Sequence, residues 1–173
     1  MKKGKVVYLN GLTSTGKTSI CKELSAREKY TYFVLGFDLF EETIPEWSYT
    51  DERYAKAIVA MYHAARSFSE QGQDVIIDGL IMKLPGLENH YELIKQIFIG
   101  CPLKIINISC SMEILQQRNI ARGDRRENQS LEQSKIVEEN IDFCFQIDSG
   151  IHSIRECADL LVKAIDFQNR IDI

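Results

Sequence analysis

The sequence predicts an α/β fold in which a parallel sheet is covered by helices on both faces. Short runs of apolar, β-branched residues alternate with longer segments of helical period, which is typical of strand and helix units in a parallel sheet. The short runs are almost continuously apolar, so we expect both faces of each strand to be buried. A glycine-rich segment between the first run and the first helical segment is the third indication.

The predicted strands and helices follow one another in a regular order. The strands cover residues 5–9, 32–35, 74–77, 103–108 and 143–147. The helices cover residues 17–29, 51–71, 87–98, 112–122, 131–141 and 154–167. In the second helix, apolar residues recur every three or four positions and predict a core-facing stripe. Two signatures of the form S/T-x-x-E/Q, Ser130 with Gln133 and Ser153 with Glu156, predict N-terminal capping of the last two helices.

Length and composition indicate one domain spanning residues 1–173. Apolar residues make up 45% of the chain and charged residues 27%, which are ordinary values for a folded domain. The formal net charge is −4 with both signs interspersed, so we expect no nucleic-acid ligand. The apolar run that follows the N-terminal lysines ends at Asn10 and is too short for a leader or a membrane span. The five cysteines form no CxxC pair, which predicts buried free thiols in a cytoplasmic protein without a zinc site.

Residues 11–18, Gly-Leu-Thr-Ser-Thr-Gly-Lys-Thr, fit the pattern GxxxxGK[ST]. A predicted strand runs directly into this segment, and a predicted helix leaves it, as a phosphate-binding loop requires. Gly11 and Gly16 allow the backbone to form a concave nest whose N–H groups point at phosphate oxygens, and the helix N-terminus adds a positive dipole. The alternative is a glycine-rich turn that binds nothing.

The loop predicts a Mg-nucleoside triphosphate as ligand. Lys17 supplies a point charge for the β- and γ-phosphates, and the Thr18 hydroxyl is placed for Mg²⁺. ATP is favoured over GTP because the chain contains no NKxD or TKxD motif. The candidate nucleotide-binding residues of the loop are Gly11, Thr13, Ser14, Thr15, Gly16, Lys17, Thr18 and Ser19.

Two aspartates follow predicted strands, at the edge of the sheet where α/β proteins bind their ligands. Asp38 follows the second strand, where a carboxylate can accept the proton of an acceptor hydroxyl or hold Mg²⁺. The alternative for Asp38 is a capping arrangement with Glu41. Asp78 directly follows the apolar run 75–77 of the third strand and resembles a Walker B aspartate that orients Mg²⁺. The alternative for Asp78 is a simple Asp-Gly turn with Gly79.

Four arginines cluster at the end of the fourth predicted helix and in the loop that follows it. Arg118, Arg122, Arg125 and Arg126 fit a mobile lid that stabilises the charge of a transferring phosphoryl group and excludes water. Gly123 is the candidate hinge of this lid. The alternative for each arginine is a cation that answers the dipole of the helix C-terminus.

These residues together resemble the chloramphenicol phosphotransferase-like family of P-loop kinases. The similarity runs through residues 8–18, 36–45, 75–78, 121–125 and 145–158, so it covers most of the chain. A phosphate loop is common to many kinases, whereas Gly-Phe-Asp at 36–38 and Ala-Arg-Gly-Asp-Arg at 121–125 are more specific.

The resemblance implies a P-loop kinase fold with five parallel strands in the order 2-3-1-4-5 and a short arginine-rich lid. It implies ATP-dependent phosphate transfer to a hydroxyl of a small molecule, which is an antibiotic in the founding case. By this resemblance, Asp38 deprotonates the acceptor hydroxyl, Arg118 lies near the adenine, and Arg122 and Arg125 lie near the phosphates. The loop 148–152, which includes His152, is expected to close over the base.

The segment after Pro45 is shorter than the antibiotic kinase is expected to have, so the residues do not single out chloramphenicol as the acceptor. An acceptor with a ring and a positive charge suits the aromatic and acidic residues of this region. The alternative is that they pack locally and the acids are solvated. These residues are Phe37, Phe40, Trp47 and Tyr49, with Glu41, Glu42, Glu46 and Asp51 beside them.

The resulting hypothesis is a Mg-ATP-dependent O-phosphotransferase that acts on a hydroxyl of a small molecule. Lys17 and the loop amides hold the phosphates, Thr18 and Asp78 organise Mg²⁺, and Asp38 takes the hydroxyl proton. Two alternatives are a kinase of a nucleoside, sugar or nucleotide-sugar, and a non-catalytic nucleotide sensor that predicts ATP binding without phosphate transfer. The sequence leaves the oligomeric state open.

Overall fold

The computed structural model describes residues 2–123 and 126–166, and a parallel five-stranded sheet forms its centre. The strand order is β2-β3-β1-β4-β5, which confirms the order 2-3-1-4-5. All four strand pairings are parallel. The strands are β1 (Val6–Asn10), β2 (Phe33–Gly36), β3 (Val75–Gly79), β4 (Leu103–Ser109) and β5 (Phe145–Asp148).

Helices connect the strands and cover both faces of the sheet. Alternate residues of β1 point to opposite faces, so that Tyr8 belongs to one apolar cluster and Leu9 to the other. One cluster packs the sheet against α3 and α4, and the other packs it against α1 and α7. The helices are α1 (Lys17–Ser25), α2 (Phe37–Glu41), α3 (Asp51–Glu70), α4 (His90–Ile97), α5 (Met112–Arg122), α6 (Gln129–Ser134) and α7 (Ile154–Asp166), with a 3-10 turn at Glu46–Ser48.

The helix predicted over residues 131–141 is wrong beyond Ser134, where α6 ends. The chain then runs along the connection between β3 and α4, because Lys83 N–H donates to the Ile136 carbonyl and Glu138 N–H donates to the Ile81 carbonyl. These bonds take backbone groups that a continued helix would have paired internally. The connection from α6 to β5 therefore packs beside the end of β3.

The two capping signatures have different outcomes. The signature at 130–133 does not cap α6, because the N-cap is Asn128 and Ser130 lies inside the helix. Its hydroxyl donates instead to a carbonyl oxygen of the loop after β1. The signature at 153–156 is confirmed, since Ser153 N–H donates to the Glu156 carboxylate and Glu156 N–H donates to the Ser153 hydroxyl.

Two further sequence expectations can be compared with the structure. All five cysteines are free, but only Cys21 and Cys157 are buried, and Cys144 is exposed. The expectation of buried thiols is therefore confirmed for Cys21 and Cys157 and wrong for the exposed Cys144, while Cys101 and Cys110 are half-buried. No helix within residues 2–123 and 126–166 combines the length and the apolar character that a membrane crossing needs.

Candidate active site

The loop between β1 and α1 approaches the sheet closely and contains two left-handed residues. A Cβ atom at Gly11 would lie 2.5 Å from the carbonyl oxygen of Ile108 on β4, so only glycine fits there. Gly16 has φ 91° and Ser14 has φ 61°. Gly16 is also the N-cap of α1, and among the described residues no side chain caps this helix. The N-terminal N–H groups of α1 therefore face the loop, which suits an anion.

Lys17, Thr18 and Asp78 meet at the head of this loop. The Thr18 hydroxyl donates to the Asp78 carboxylate across 2.6 Å. The ammonium nitrogen of Lys17 lies 3.8 Å from the same carboxylate and donates to the Gly11 and Leu12 carbonyl oxygens. A hydroxyl and a carboxylate are hard oxygen ligands of the kind that Mg²⁺ prefers. The donor set and the loop together fit a magnesium-bound phosphate chain.

The strand register explains how Asp78 reaches the loop. Residue 78 pairs with Leu9 on β1, two positions before Gly11. The strand continues through Gly79, so the alternative of an Asp-Gly turn at this point is wrong. A Cβ atom at Gly79 would lie 2.5 Å from the Phe37 ring, and this close contact explains the glycine better than a turn does.

Asp38 stands at the end of the neighbouring strand. Gly36, the last residue of β2, pairs with Asp78, and Asp38 follows two residues later in the first turn of α2. Asp38 is exposed. The capping alternative is wrong, because Gly36 is the N-cap of α2 and no side-chain cap is present among the described residues. The topology therefore brings Asp38 and Asp78 to the same edge of the sheet.

The arginines of the predicted lid have different partners. Arg118 donates to the Ser14 carbonyl at 3.2 Å and to the Ser149 carbonyl at 2.7 Å, so it ties the phosphate loop to the turn after β5. Arg126 pairs with Glu132 at 2.7 Å on an exposed surface. Arg122 ends α5 and is exposed, and Gly123 closes this helix with φ 73°. Arg125 lies outside the described residues.

The turn after β5 is the segment expected to close over a base. Ser149 is buried and donates through its N–H and its hydroxyl to the Ser109 carbonyl on β4. Gly150 N–H donates to the Asp148 carboxylate at 2.7 Å. His152 is half-buried in this turn and precedes α7. The turn is thus held to β4 by its own backbone and to the phosphate loop by Arg118.

The aromatic surface predicted near the second strand is partly wrong. Phe37 is 6% exposed and packs against Tyr54 and Tyr62 in the core. Trp47 is 89% exposed, and the Tyr49 hydroxyl donates to the Glu41 carboxylate at 2.7 Å. Burial and the neighbouring Glu41 carboxylate raise the pKa of Tyr49. Trp47 and Tyr49 therefore remain as the accessible aromatic residues of this segment.

A buried chain of polar groups lies beneath α2. The Tyr8 hydroxyl is 3.1 Å from the Tyr62 hydroxyl, which is 2.6 Å from Nε2 of His90. Nδ1 of His90 lies 3.1 Å from the Met82 nitrogen and 3.0 Å from the Met82 oxygen. Burial lowers the pKa of His90 to about 4, so the ring is neutral at pH 7. The chain links β1, α3 and the connection after β3.

Three residues that contact the phosphate loop were missed by the sequence reasoning as site residues. Asn119 on α5 accepts a hydrogen bond from the Ser14 hydroxyl, and Ser130 and Gln133 on α6 bind the backbone of Thr13. For the serine and the glutamine, the sequence pattern at 130–133 predicts a helix cap. A polar asparagine within the helix pattern was the available signal for the third residue.

The sheet order and the phosphate loop give this protein the P-loop kinase fold. Its fold is similar to that of the Mycobacterium tuberculosis APS kinase CysC, solved in complex with AMPPNP and APS, with a TM-score of 0.76 at 14% sequence identity. The match covers 96% of this chain and 100% of that one.

Residues 4–166 match the family model described as chloramphenicol phosphotransferase-like protein, so the chain belongs to this family. It is 23% identical to a Mycobacterium tuberculosis H37Rv protein named "Putative O-phosphotransferase Rv2636", over 91% of this chain and 80% of that one. It is 25% identical to guanylate kinase of Clostridium tetani, over 95% of this chain and 88% of that one.

Proposed function

We propose that this protein is a Mg-ATP-dependent O-phosphotransferase that acts on a hydroxyl group of a small molecule. The observation that carries the proposal is the meeting of Lys17, Thr18 and Asp78 at the head of the phosphate loop. Membership of the chloramphenicol phosphotransferase-like family supports an alcohol acceptor. The free thiols support a cytoplasmic location, where thiols stay reduced.

The nucleotide would be held by the loop and the N-terminus of α1. Lys17 would contact the β- and γ-phosphates, and the N–H groups of Gly16, Lys17 and Thr18 would face their oxygens. Thr18 and Asp78 would hold Mg²⁺, which neutralises charge on the phosphate chain when it is bound. Ser19 follows Thr18 in the first turn of α1 and would also contact the nucleotide. His152 would border the base.

Asp38 is the proposed general base. In the transfer, its carboxylate accepts the proton of the acceptor hydroxyl while the acceptor oxygen bonds to the γ-phosphorus. The bond from the γ-phosphorus to the β,γ-bridging oxygen breaks, and ADP leaves with that oxygen. The exposed position of Asp38 after β2 supports access to an acceptor. Arg122 and Arg125 would stabilise the negative charge that develops on the transferring group.

The acceptor would contact the segment that follows Asp38. Trp47 is the most exposed aromatic side chain of this segment, and Glu41 and Glu46 lie close to it in sequence. An aromatic face beside carboxylates suits an acceptor with a ring and a cationic group.

Mass spectrometry of an acceptor panel tests the proposal. Purified protein is incubated with Mg-ATP and a mixture of hydroxylated antibiotics, including chloramphenicol, with nucleosides and sugars. We expect one compound to gain a single phosphate, and we expect the Lys17→Ala variant to lose this product because the loop then lacks its point charge.

Two other outcomes would contradict the proposal. A product that Lys17→Ala forms at the wild-type rate would show that another site or a contaminant makes it. ATP binding without any phosphorylated product across the panel would favour a non-catalytic nucleotide sensor.

A further inference from the structure

We propose that Asn119, Ser130 and Gln133 are positioning residues that hold the phosphate loop in the conformation that binds ATP. The proposal rests on the proposed function, because it assigns residues that prepare the same loop. None of the three belongs to the GxxxxGK[ST] pattern, and all three come from α5 and α6, more than one hundred residues later in the chain.

Side chains of α6 bind both backbone polar groups of Thr13. Its N–H donates to Oε1 of Gln133 at 2.7 Å, and its carbonyl oxygen accepts from the Ser130 hydroxyl at 3.2 Å. A side-chain acceptor thus already occupies the Thr13 N–H, so this group faces α6. We therefore assign Thr13 to anchoring the loop rather than to binding phosphate.

The next residue, Ser14, adopts a left-handed conformation that is unfavourable for a residue with a side chain. Its φ angle is 61°, and such strain persists only where the surroundings hold it. Here the Ser14 hydroxyl donates to Oδ1 of Asn119 at 2.6 Å, and its carbonyl accepts from Arg118 at 3.2 Å. The helix α5 therefore holds both polar groups that Ser14 presents to it.

Asn119 joins these contacts into one network. Its side chain is fully buried, and its amide nitrogen donates to the Ser130 hydroxyl and to the Glu127 carbonyl, both at 3.0 Å. The Ser130 hydroxyl in turn donates to Thr13. A buried amide with every polar atom paired holds one conformation strongly, because each lost partner leaves an unsatisfied group.

This network prepares the loop before the nucleotide arrives. If the loop becomes ordered only when ATP binds, the loss of its conformational entropy lowers the affinity for ATP. A loop that is already ordered in the free protein avoids this loss. Removing one tie to Thr13 should therefore weaken ATP binding even though the residue removed does not contact ATP. A residue that serves stability alone would lower the melting temperature without changing the affinity of the folded protein.

Isothermal titration of Mg-ATP against matched variants tests the proposal. Gln133→Leu removes the acceptor for the Thr13 N–H, and we expect the Kd for Mg-ATP to rise about five- to tenfold, as the loss of one such hydrogen bond implies. Gln133→Glu keeps an acceptor oxygen and, at a salt concentration that screens its added negative charge, should bind within about twofold of the wild type under the same conditions. Gln117→Leu makes the same change at an exposed position of α5 and should bind like the wild type.

A second pair of variants uses serines of α6. Ser130→Ala removes the donor to the Thr13 carbonyl and should raise the Kd about threefold or more. The hydroxyl of Ser134 donates to the Leu131 carbonyl within its own helix, so Ser134→Ala should bind like the wild type. Thermal unfolding of each variant accompanies the titration. The proposal is overturned if Gln133→Leu and Ser130→Ala fold and bind Mg-ATP like the wild type.

The proposal is also overturned if Gln133→Leu and Gln133→Glu weaken the binding of Mg-ATP equally, because the acceptor oxygen at position 133 would then have no effect. A wild-type protein that does not bind Mg-ATP would contradict the proposed function itself. Wild-type binding of Mg-ATP with unchanged binding by Gln133→Leu and Ser130→Ala would contradict only the positioning role of Ser130 and Gln133, so the two failures are distinguishable.

Discussion

Lowering the pH from 7 to 5 should destabilise this protein through the buried His90. Its pKa is lowered to about 4 by burial, whereas the unfolded chain has the ordinary value of 6.5. Below pH 6.5 the unfolded chain therefore binds a proton that the folded protein does not bind. Stability from this residue is fully present above about pH 6.5 and is lost progressively as the pH falls towards 4. Between pH 7 and pH 5 the expected loss in the free energy of unfolding is about 2 kcal/mol.

Two measurements check this pH dependence. NMR titration of the His90 ring should give a midpoint near 4, and urea unfolding at pH 7 and pH 5 should show the loss. The His90→Gln variant has no imidazole to protonate, so its loss over the same range should be smaller than that of the wild type by about 2 kcal/mol. A His90 ring that titrates between pH 6 and pH 7, or an unchanged loss in the variant, would refute the reasoning.

Three substitutions extend the predictions to the loop and the acceptor side. Gly11→Ala should lower the free energy of unfolding by about 1–3 kcal/mol, because its Cβ would lie 2.5 Å from the Ile108 carbonyl oxygen. Urea unfolding measures this loss, and an unchanged urea midpoint would contradict the close packing at Gly11. Asp38→Asn should slow phosphate transfer about 10²- to 10⁴-fold in a steady-state assay while the Kd for Mg-ATP stays unchanged, and near-wild-type transfer would exclude Asp38 as the base. Trp47→Ala should raise the KM for the acceptor severalfold without raising the KM for ATP, and an equal rise in both would remove Trp47 from the acceptor site.

The strands were predictable because their signal is local and strong. Five continuous apolar runs fall where the five strands lie, with ends that differ by one or two residues. Helix α6 was not predictable in the same way, because residues 136 to 138 carry a helical pattern but pair their backbone with the connection after β3. The short helix α2 has too few residues for a periodic pattern.

The site was predictable where its residues share one loop or follow a strand. The pattern GxxxxGK[ST] and the aspartate that follows the apolar run of β3 are sequence features, and the structure brings Thr18 and Asp78 within 2.6 Å. The contacts from Asn119 and Gln133 were not predictable, because they depend on how α5 and α6 pack against the loop. Phe37 failed as a surface residue for a related reason: Gly79 on β3 leaves the space in which its ring packs.

The magnesium nucleotide site that we propose consists of the phosphate loop and the Asp78 carboxylate of β3. Titration of ATP with and without Mg²⁺, against the wild type and the Asp78→Asn variant, tests it without any knowledge of the acceptor. We expect Mg²⁺ to tighten ATP binding to the wild type by about tenfold or more and to have much less effect on the variant, because the substituted amide lacks the carboxylate charge. An ATP affinity of the wild-type protein that is the same with and without Mg²⁺ would contradict the claim.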